Sequence, residues 1–273
     1  MPRLLNPYAF ASALEGAAPF DSVAPAHTLI CPNHLLLSSY AGSPVMRMSQ
    51  TTGDDPQDFL VDILSVDLSV PTADILARYP GASNVGVTTG YDQTGNGRHY
   101  ATASYAGTPR VITPGSTRVA LVAGYGASAG AIGVDDYLRR AETLSGTFAI
   151  YCVCEFSTPA TGSPFGDDAG NIAITIDSGM LLQLPGFAYG DAPPTEEVLI
   201  VEGIWNGAAS SMRINGGEPT VTDMGAAELA GAMFIFAGGF GNGVGKFGAF
   251  GIWEGAGDAG RSAAIRSAFG AVF

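Results

Sequence analysis

Basic residues are scarce in this chain: 12 Lys and Arg stand against 25 Asp and Glu, a net charge of -13 over 273 residues. No Lys/Arg cluster breaks that balance, which argues against direct binding to nucleic acid phosphates. No run of about 18 apolar residues occurs, so no helical membrane insertion is expected. The start, Met1-Pro-Arg-Leu-Leu-Asn-Pro-Tyr-Ala-Phe, is broken by Pro2 and Pro7 and lacks the apolar stretch of a signal peptide. Cysteines number only three. Cys152 and Cys154 fall on one side of an alternating segment, where a bridge is awkward, so buried free thiols are expected. Thiols without a leader point to assembly in a cytoplasm. There are three histidines, His27, His34 and His99, and no Gly-x-Ser-x-Gly elbow. Gly124-Tyr-Gly-Ala-Ser-Ala-Gly has no lysine after it and is not a phosphate loop.

Apolar residues and glycine are plentiful, at 47% and 38 residues, enough for a large core with many tight turns. From residue 118 onward, short alternating segments follow one another between turn signals. Thr147–Phe156 puts Phe148, Ile150, Cys152, Cys154 and Phe156 on one face. Asn171–Ile176, Met180–Leu184, Glu196–Trp205, Ser211–Ile214, Met233–Ala237 and Phe247–Trp253 continue the series, with a turn at Asn215-Gly216. This pattern predicts a mainly β chain, an antiparallel β-sandwich of the jelly-roll kind. Asp258 caps a final short helix carrying Ile265, Phe269 and Phe273 at four-residue spacing. Earlier, His34–Ser39, Val45–Ser49 and Asp58–Asp67 read as strands and Pro71–Tyr79 as a helix. Residues 1–30, with four prolines, read as an extended arm for assembly. The body is 31–273, with 119–145 as a glycine-rich connector between a first part (31–118) and the later strands (146–273).

One stretch has the density of a site: Thr88-Thr-Gly-Tyr-Asp-Gln-Thr-Gly-Asn-Gly-Arg-His-Tyr100. Asp92 and Asn96 can bond the backbone of a tight turn while Gly95 and Gly97 take positive φ. The same loop offers Tyr91, Asp92, Asn96, Arg98 and His99 as a glycan-binding set. Asp167, Asp168 and Asn171 gather hard oxygens on another loop, weak candidates for calcium. No other cofactor is indicated. The acids open to catalysis are Asp92, Glu155, Asp167, Asp168, Glu202 and Glu254.

His34–Gln50, with Leu-Leu-Leu-Ser-Ser-Tyr-Ala-Gly-Ser-Pro-Val-Met-Arg-Met-Ser at its centre, resembles the opening of arabinofuranosidase B-type catalytic domains. The likeness continues through Gln57-Asp58-Phe59 and Val87–His99, where that family commonly has Trp in place of Gly90. After residue 145, Phe165-Gly-Asp-Asp-Ala-Gly-Asn, the segment Trp205–Gly217 and Gly248–Trp253 are similar to concanavalin A-like, laminin-G-type jelly rolls. Such bodies behind a short arm resemble phage virion proteins. A retaining glycosidase needs two carboxylates about 5 Å apart. The family's Cys-Cys-Phe-Asp-Tyr-Gly-Asn-Ala-Glu segment, which would supply them, is not found. The resemblance therefore implies a non-enzymatic structural virion component, a fibre or tail-tip homo-oligomer. Residues 1–30 would join other virion proteins, and the body would bind a host glycan or a neighbouring subunit. The alternatives are a glycoside hydrolase acting on surface polysaccharide and a capsid decoration protein without ligand.

Overall fold

The structure, a computed structural model, describes residues 17–32, 34–51, 60–65, 84–102, 110–111, 121–123, 138–156, 162–168, 170–177, 179–186, 188–194, 197–226, 228–235 and 245–273. The expected helix at 71–79 and residues 1–16 of the arm lie outside them. In chain order the strands are β1 (Thr28–Ile30), β2 (Pro44–Thr51), β3 (Leu60–Leu64), β4 (Asn84–Gly90), β5 (Tyr100–Ala101), β6 (Arg110–Val111), β7 (Leu121–Ala123), β8 (Leu138–Ser145) and β9 (Phe148–Phe156). They continue with β10 (Gly162–Asp167), β11 (Ala173–Asp177), β12 (Met180–Leu184), β13 (Ala188–Tyr189), β14 (Leu199–Trp205), β15 (Ser210–Ile214), β16 (Thr220–Thr222), β17 (Glu228–Ile235) and β18 (Gly245–Glu254). The helix α1 (Ala259–Gly270) closes the chain.

These strands form two antiparallel sheets packed as a sandwich. One runs β16-β15-β14-β9-β18, with β7 and β1 end to end along the far edge of β18. The other runs β13-β12-β11-β10-β17-β8-β5-β4-β2-β3, and the short β6 pairs with both β4 and β7. No helix among the described residues is long and apolar enough to cross a membrane.

Strand β9 shows why the core is thick. Phe148, Ile150, Cys152, Cys154 and Phe156 face the opposite sheet, as their alternation predicts. Ala149, Tyr151 and Val153 are buried too, on the outer face, under Ile265, Ala268 and Phe269 of α1. Asp258 caps that helix by accepting from the Arg261 N–H at 2.8 Å. All three cysteines are buried and free.

The tripeptide Gly-Ile-Trp occurs on both neighbours of β9, at 203–205 and 251–253. Each indole folds back over its glycine: a Cβ at Gly203 would lie 2.7 Å from the Trp205 ring, and one at Gly251 2.5 Å from Trp253. Trp205 pairs with Phe148 and Trp253 with Ala149, a one-residue offset. A strand alternates its faces, so that offset sends Trp205 into the sandwich and Trp253 to the outside.

Residues 17–30, part of the segment read as an arm for other proteins, cover the chain's own outer face. Phe20 is buried against Trp253 and Phe269, the Trp253 Nε1–H donates to the Ala24 carbonyl at 2.9 Å, and β1 pairs with β18. His34–Ser39 is not a strand. The Gln93 side chain takes a strand partner's place there, donating to the Cys31 and His34 carbonyls and accepting from Leu36 N–H. Within the segment read as a connector, residues 121–123 and 138–145 form β7 and β8.

Candidate functional site

The alternation of β8 sends Leu138, Glu142 and Leu144 inward, so an acid enters an apolar row. Across the sandwich, Phe250 and Ile252 point inward from β18, and two residues later the same face ends in Glu254. His27 fills the space between the two acids. Its backbone N–H is fixed to the Ile252 carbonyl at 2.7 Å. Its Nδ1 lies 2.9 Å from Glu254 Oε1 and its Nε2 lies 3.3 Å from Glu142 Oε2. The other Glu142 oxygen accepts from the Tyr100 hydroxyl at 3.2 Å and lies 3.3 Å from Arg140 Nε, close enough for attraction but not aligned as a hydrogen bond. Burial, then the Glu142 charge, push the Tyr100 phenol well above its ordinary range.

The asymmetry of this string decides its chemistry. The side chains of His27 and Glu142 are 6% and 3% exposed, whereas that of Glu254 is 73% exposed. Of the three, only Glu254 is open to solvent. An ionised carboxylate only accepts hydrogen bonds, and neutral imidazole has a single N–H. The string of side chains reaches from the interior to the surface.

The loop Tyr91–His99 holds His27 in place. Asp92 is fully buried, and its carboxylate accepts from the N–H groups of Leu29, Thr94 and Arg98 and from the Thr94 hydroxyl. Gly95 and Gly97 take φ of +81° and +71°, which lets the chain fold tightly around that carboxylate. Asn96 Nδ2 and Arg98 Nη1 both donate to the His27 carbonyl, at 3.3 and 2.9 Å. Arg140 Nη1 donates to the Gly97 carbonyl at 3.2 Å. His99 Nδ1 accepts from the Asp92 N–H, and burial, only partly offset by Asp92, lowers its pKa.

Tyr91 turns away and donates to Asp62 at 2.7 Å, and burial followed by that bond push its phenol up to about 12. Asp62 is held below the usual carboxylate range, chiefly by its bond from Arg47. Gly90 ends β4 just before the loop, and a Cβ there would lie 2.8 Å from Ile30 Cγ2 and 3.4 Å from Leu138 Cδ1, so the place of a side chain is already filled.

The remaining sequence candidates lie elsewhere. Asp167 is buried and caps its own turn, accepting from Asn171 N–H at 2.7 Å and Ile172 N–H at 3.0 Å, while Asp168 lies over Gly231. Among the described residues, no group of three or more His, Cys, Asp or Glu is placed to hold a metal ion. Glu155 is half-buried near the end of β9. Glu202 is fully buried under α1, where it pairs with Arg266 and Arg213 and accepts from Ser262. Of the acids singled out in the sequence, only Glu254 reaches this centre. Glu142 was missed, and its one local signal is its place among Leu138 and Leu144.

Comparison with solved structures bears on this geometry. A GH54 α-L-arabinofuranosidase matches over 91% of this chain and 63% of its own, with a TM-score of 0.60 and 16% identity. An arabinofuranosidase complexed with arabinofuranosyl-α-1,2-xylobiose matches over 93% and 64%, with a TM-score of 0.62 and 15% identity. The chain thus spans less than two thirds of the length of these structures. No family model and no curated protein matches it. The likeness is one of fold.

That finding corrects two expectations. The folds that match across the chain are those of glycoside hydrolases, which overturns the expectation of a structural virion component, fibre or tail tip. The expectation that the chain is not an enzyme falls with it. It rested on the missing Cys-Cys-Phe-Asp-Tyr-Gly-Asn-Ala-Glu segment, and a search for contiguous motifs is blind to acids that meet only in the fold. His27 is 115 residues from Glu142 and 227 from Glu254.

Proposed function

We propose that this chain is a glycoside hydrolase acting on an arabinofuranoside-type linkage of a surface polysaccharide, with Glu254 as its acid–base group. The observation that carries the proposal is the solvent-facing carboxylate of Glu254 bonded to a buried His27–Glu142 pair. The fold supports it. One of the matching arabinofuranosidases was soaked with 4-nitrophenyl α-L-arabinofuranoside and another holds an arabinofuranosyl xylobiose.

In the proposed reaction the glycosidic C–O bond breaks and its leaving oxygen takes a proton from Glu254. Water adds its oxygen to the anomeric carbon, and the proton it sheds returns to Glu254; the second carboxylate of a glycosidase pair is not identified among the described residues. His27, itself in contact with Glu142, holds the carboxyl in place. General acid–base catalysis of this kind contributes on the order of 10²–10⁴ in rate.

The test is incubation of the protein with arabinan, arabinoxylan and host surface polysaccharides, with released sugars resolved by chromatography. Arabinose or an arabinose-ended fragment is the expected product. A panel returned intact by folded protein would overturn the proposal.

A further inference from the structure

Glu254 is the last residue of β18, and its carboxylate, 73% exposed, is held by His27 at 2.9 Å. A long side chain in water keeps many rotamers, so one bond fixes the carboxyl only if the backbone beneath it is fixed too. Strand pairing ends here. Glu254 lies opposite Phe148, and the next N–H, of Gly255, donates to the Thr147 carbonyl at 2.7 Å. Gly255 and Gly257 then take φ of +72° and +67°, in a turn that leads into α1.

Arg261 closes that turn. It stands in the first turn of α1, its own N–H bonded to Asp258 Oδ1 at 2.8 Å. Its guanidinium reaches back, donating through Nη1 to the Glu254 carbonyl at 3.1 Å and through Nη2 to the Gly255 carbonyl. The guanidinium rests on Gly257, where a Cβ would run into Nε and Cζ. Two neighbouring carbonyls are bridged by a planar fork, whereas an ammonium holds them less rigidly. The same bonds tie Glu254 to α1, which is anchored on the outer face by Ile265, Ala268 and Phe269.

We propose that Arg261 is a positioning residue for Glu254, fixing its backbone so that the carboxyl stays on His27. The consequence for rate rests on the hydrolase reading above; the consequence for the His27 contact does not.

The experiment is a double-mutant cycle with two readouts. Release of 4-nitrophenol from 4-nitrophenyl α-L-arabinofuranoside is compared in wild type, Arg261→Gln, Glu254→Gln and the double variant. A displaced carboxyl loses rate, so kcat is expected to fall about tenfold in Arg261→Gln with KM little changed. In the Glu254→Gln background the same substitution is expected to cost nothing, because the group it positions is gone. Arg261→Lys, which keeps the charge without the fork, is expected to show the same pattern with a smaller loss, and it carries the comparison should Arg261→Gln not fold. The second readout is the nitrogen NMR spectrum of the histidine rings, with His27 assigned by its absence in His27→Gln. Arg261→Gln is expected to move the His27 signals in the direction in which Glu254→Gln moves them. Equal rate loss in both backgrounds, no rate loss in either, or unmoved His27 signals overturns the positioning role. If wild type releases no nitrophenol, or Glu254→Gln releases as much, the hydrolase reading of Glu254 fails and the ring signals alone decide. Moved signals then support the role of Arg261, and unmoved signals overturn it.

Discussion

Replacement of Glu202 by alanine tests whether this acid is structural. Its carboxylate is fully buried between β14 and α1, paired with Arg266 and Arg213 and bonded by the Ser262 hydroxyl at 3.0 Å. Ser262 in turn meets the Tyr151 hydroxyl at 2.9 Å, and burial, then the Glu202 charge, push that phenol up to about 12. Removing one partner of a buried ion pair costs about 3–5 kcal/mol, because the other charge is left without compensation. The two arginine side chains are 20% and 17% exposed and can partly rehydrate, which places the expected loss near about 3 kcal/mol. In a chain of this size that corresponds to a fall in Tm of roughly 6–12 °C. Urea unfolding of wild type and Glu202→Ala measures it, with the slope checked for equality so that the midpoint reports stability. Glu202→Gln, which keeps an acceptor for Ser262, is expected to lose about half as much. A loss below about 1 kcal/mol for the alanine variant would refute the clamp.

Three further outcomes are expected. Asp92→Asn removes one of two accepting oxygens from a carboxylate that gathers four donors, and chemical denaturation is expected to show a loss of about 1–3 kcal/mol; an unchanged midpoint contradicts the loop's role. Gly90→Ala drives a methyl into Ile30 at 2.8 Å and is expected to cost about 1–3 kcal/mol by thermal melting, whereas a neutral result would mean that Ile30 and Leu138 can yield. Burial lowers the His34 pKa to about 4, against about 6.5 in an unfolded chain. The unfolded state takes up the proton first, so this contribution is complete above about pH 6.5 and declines by up to about 1.4 kcal/mol per pH unit towards pH 4. Wild type should therefore lose more stability than His34→Leu between pH 7 and pH 5 in urea titrations, and parallel losses would exclude the effect.

The sandwich was legible because its strands alternate. Met180–Leu184 matches β12 at both ends, the inward row of β9 is the predicted one, and Asp258 caps the predicted helix. Burial of the outer row Ala149, Tyr151 and Val153 was not legible, since it depends on α1 and residues 17–37 returning to cover that face. The Tyr91–His99 loop was correctly read as a tight turn, yet nothing local told that it closes on His27. Strand β8 was hidden by Arg139, Arg140 and Glu142, charges that weaken its apolar rhythm. Glu142 became visible only when the opposite sheet brought His27 to it.

Release of 4-nitrophenol from 4-nitrophenyl α-L-arabinofuranoside by wild type and by Glu254→Gln addresses the proposed chemistry most directly. Wild type is expected to release it, and the variant, equally folded by circular dichroism, to do so roughly 10²-fold more slowly or less. Equal rates for the two proteins, or no release by wild type, would contradict Glu254 as the acid–base group of a hydrolase.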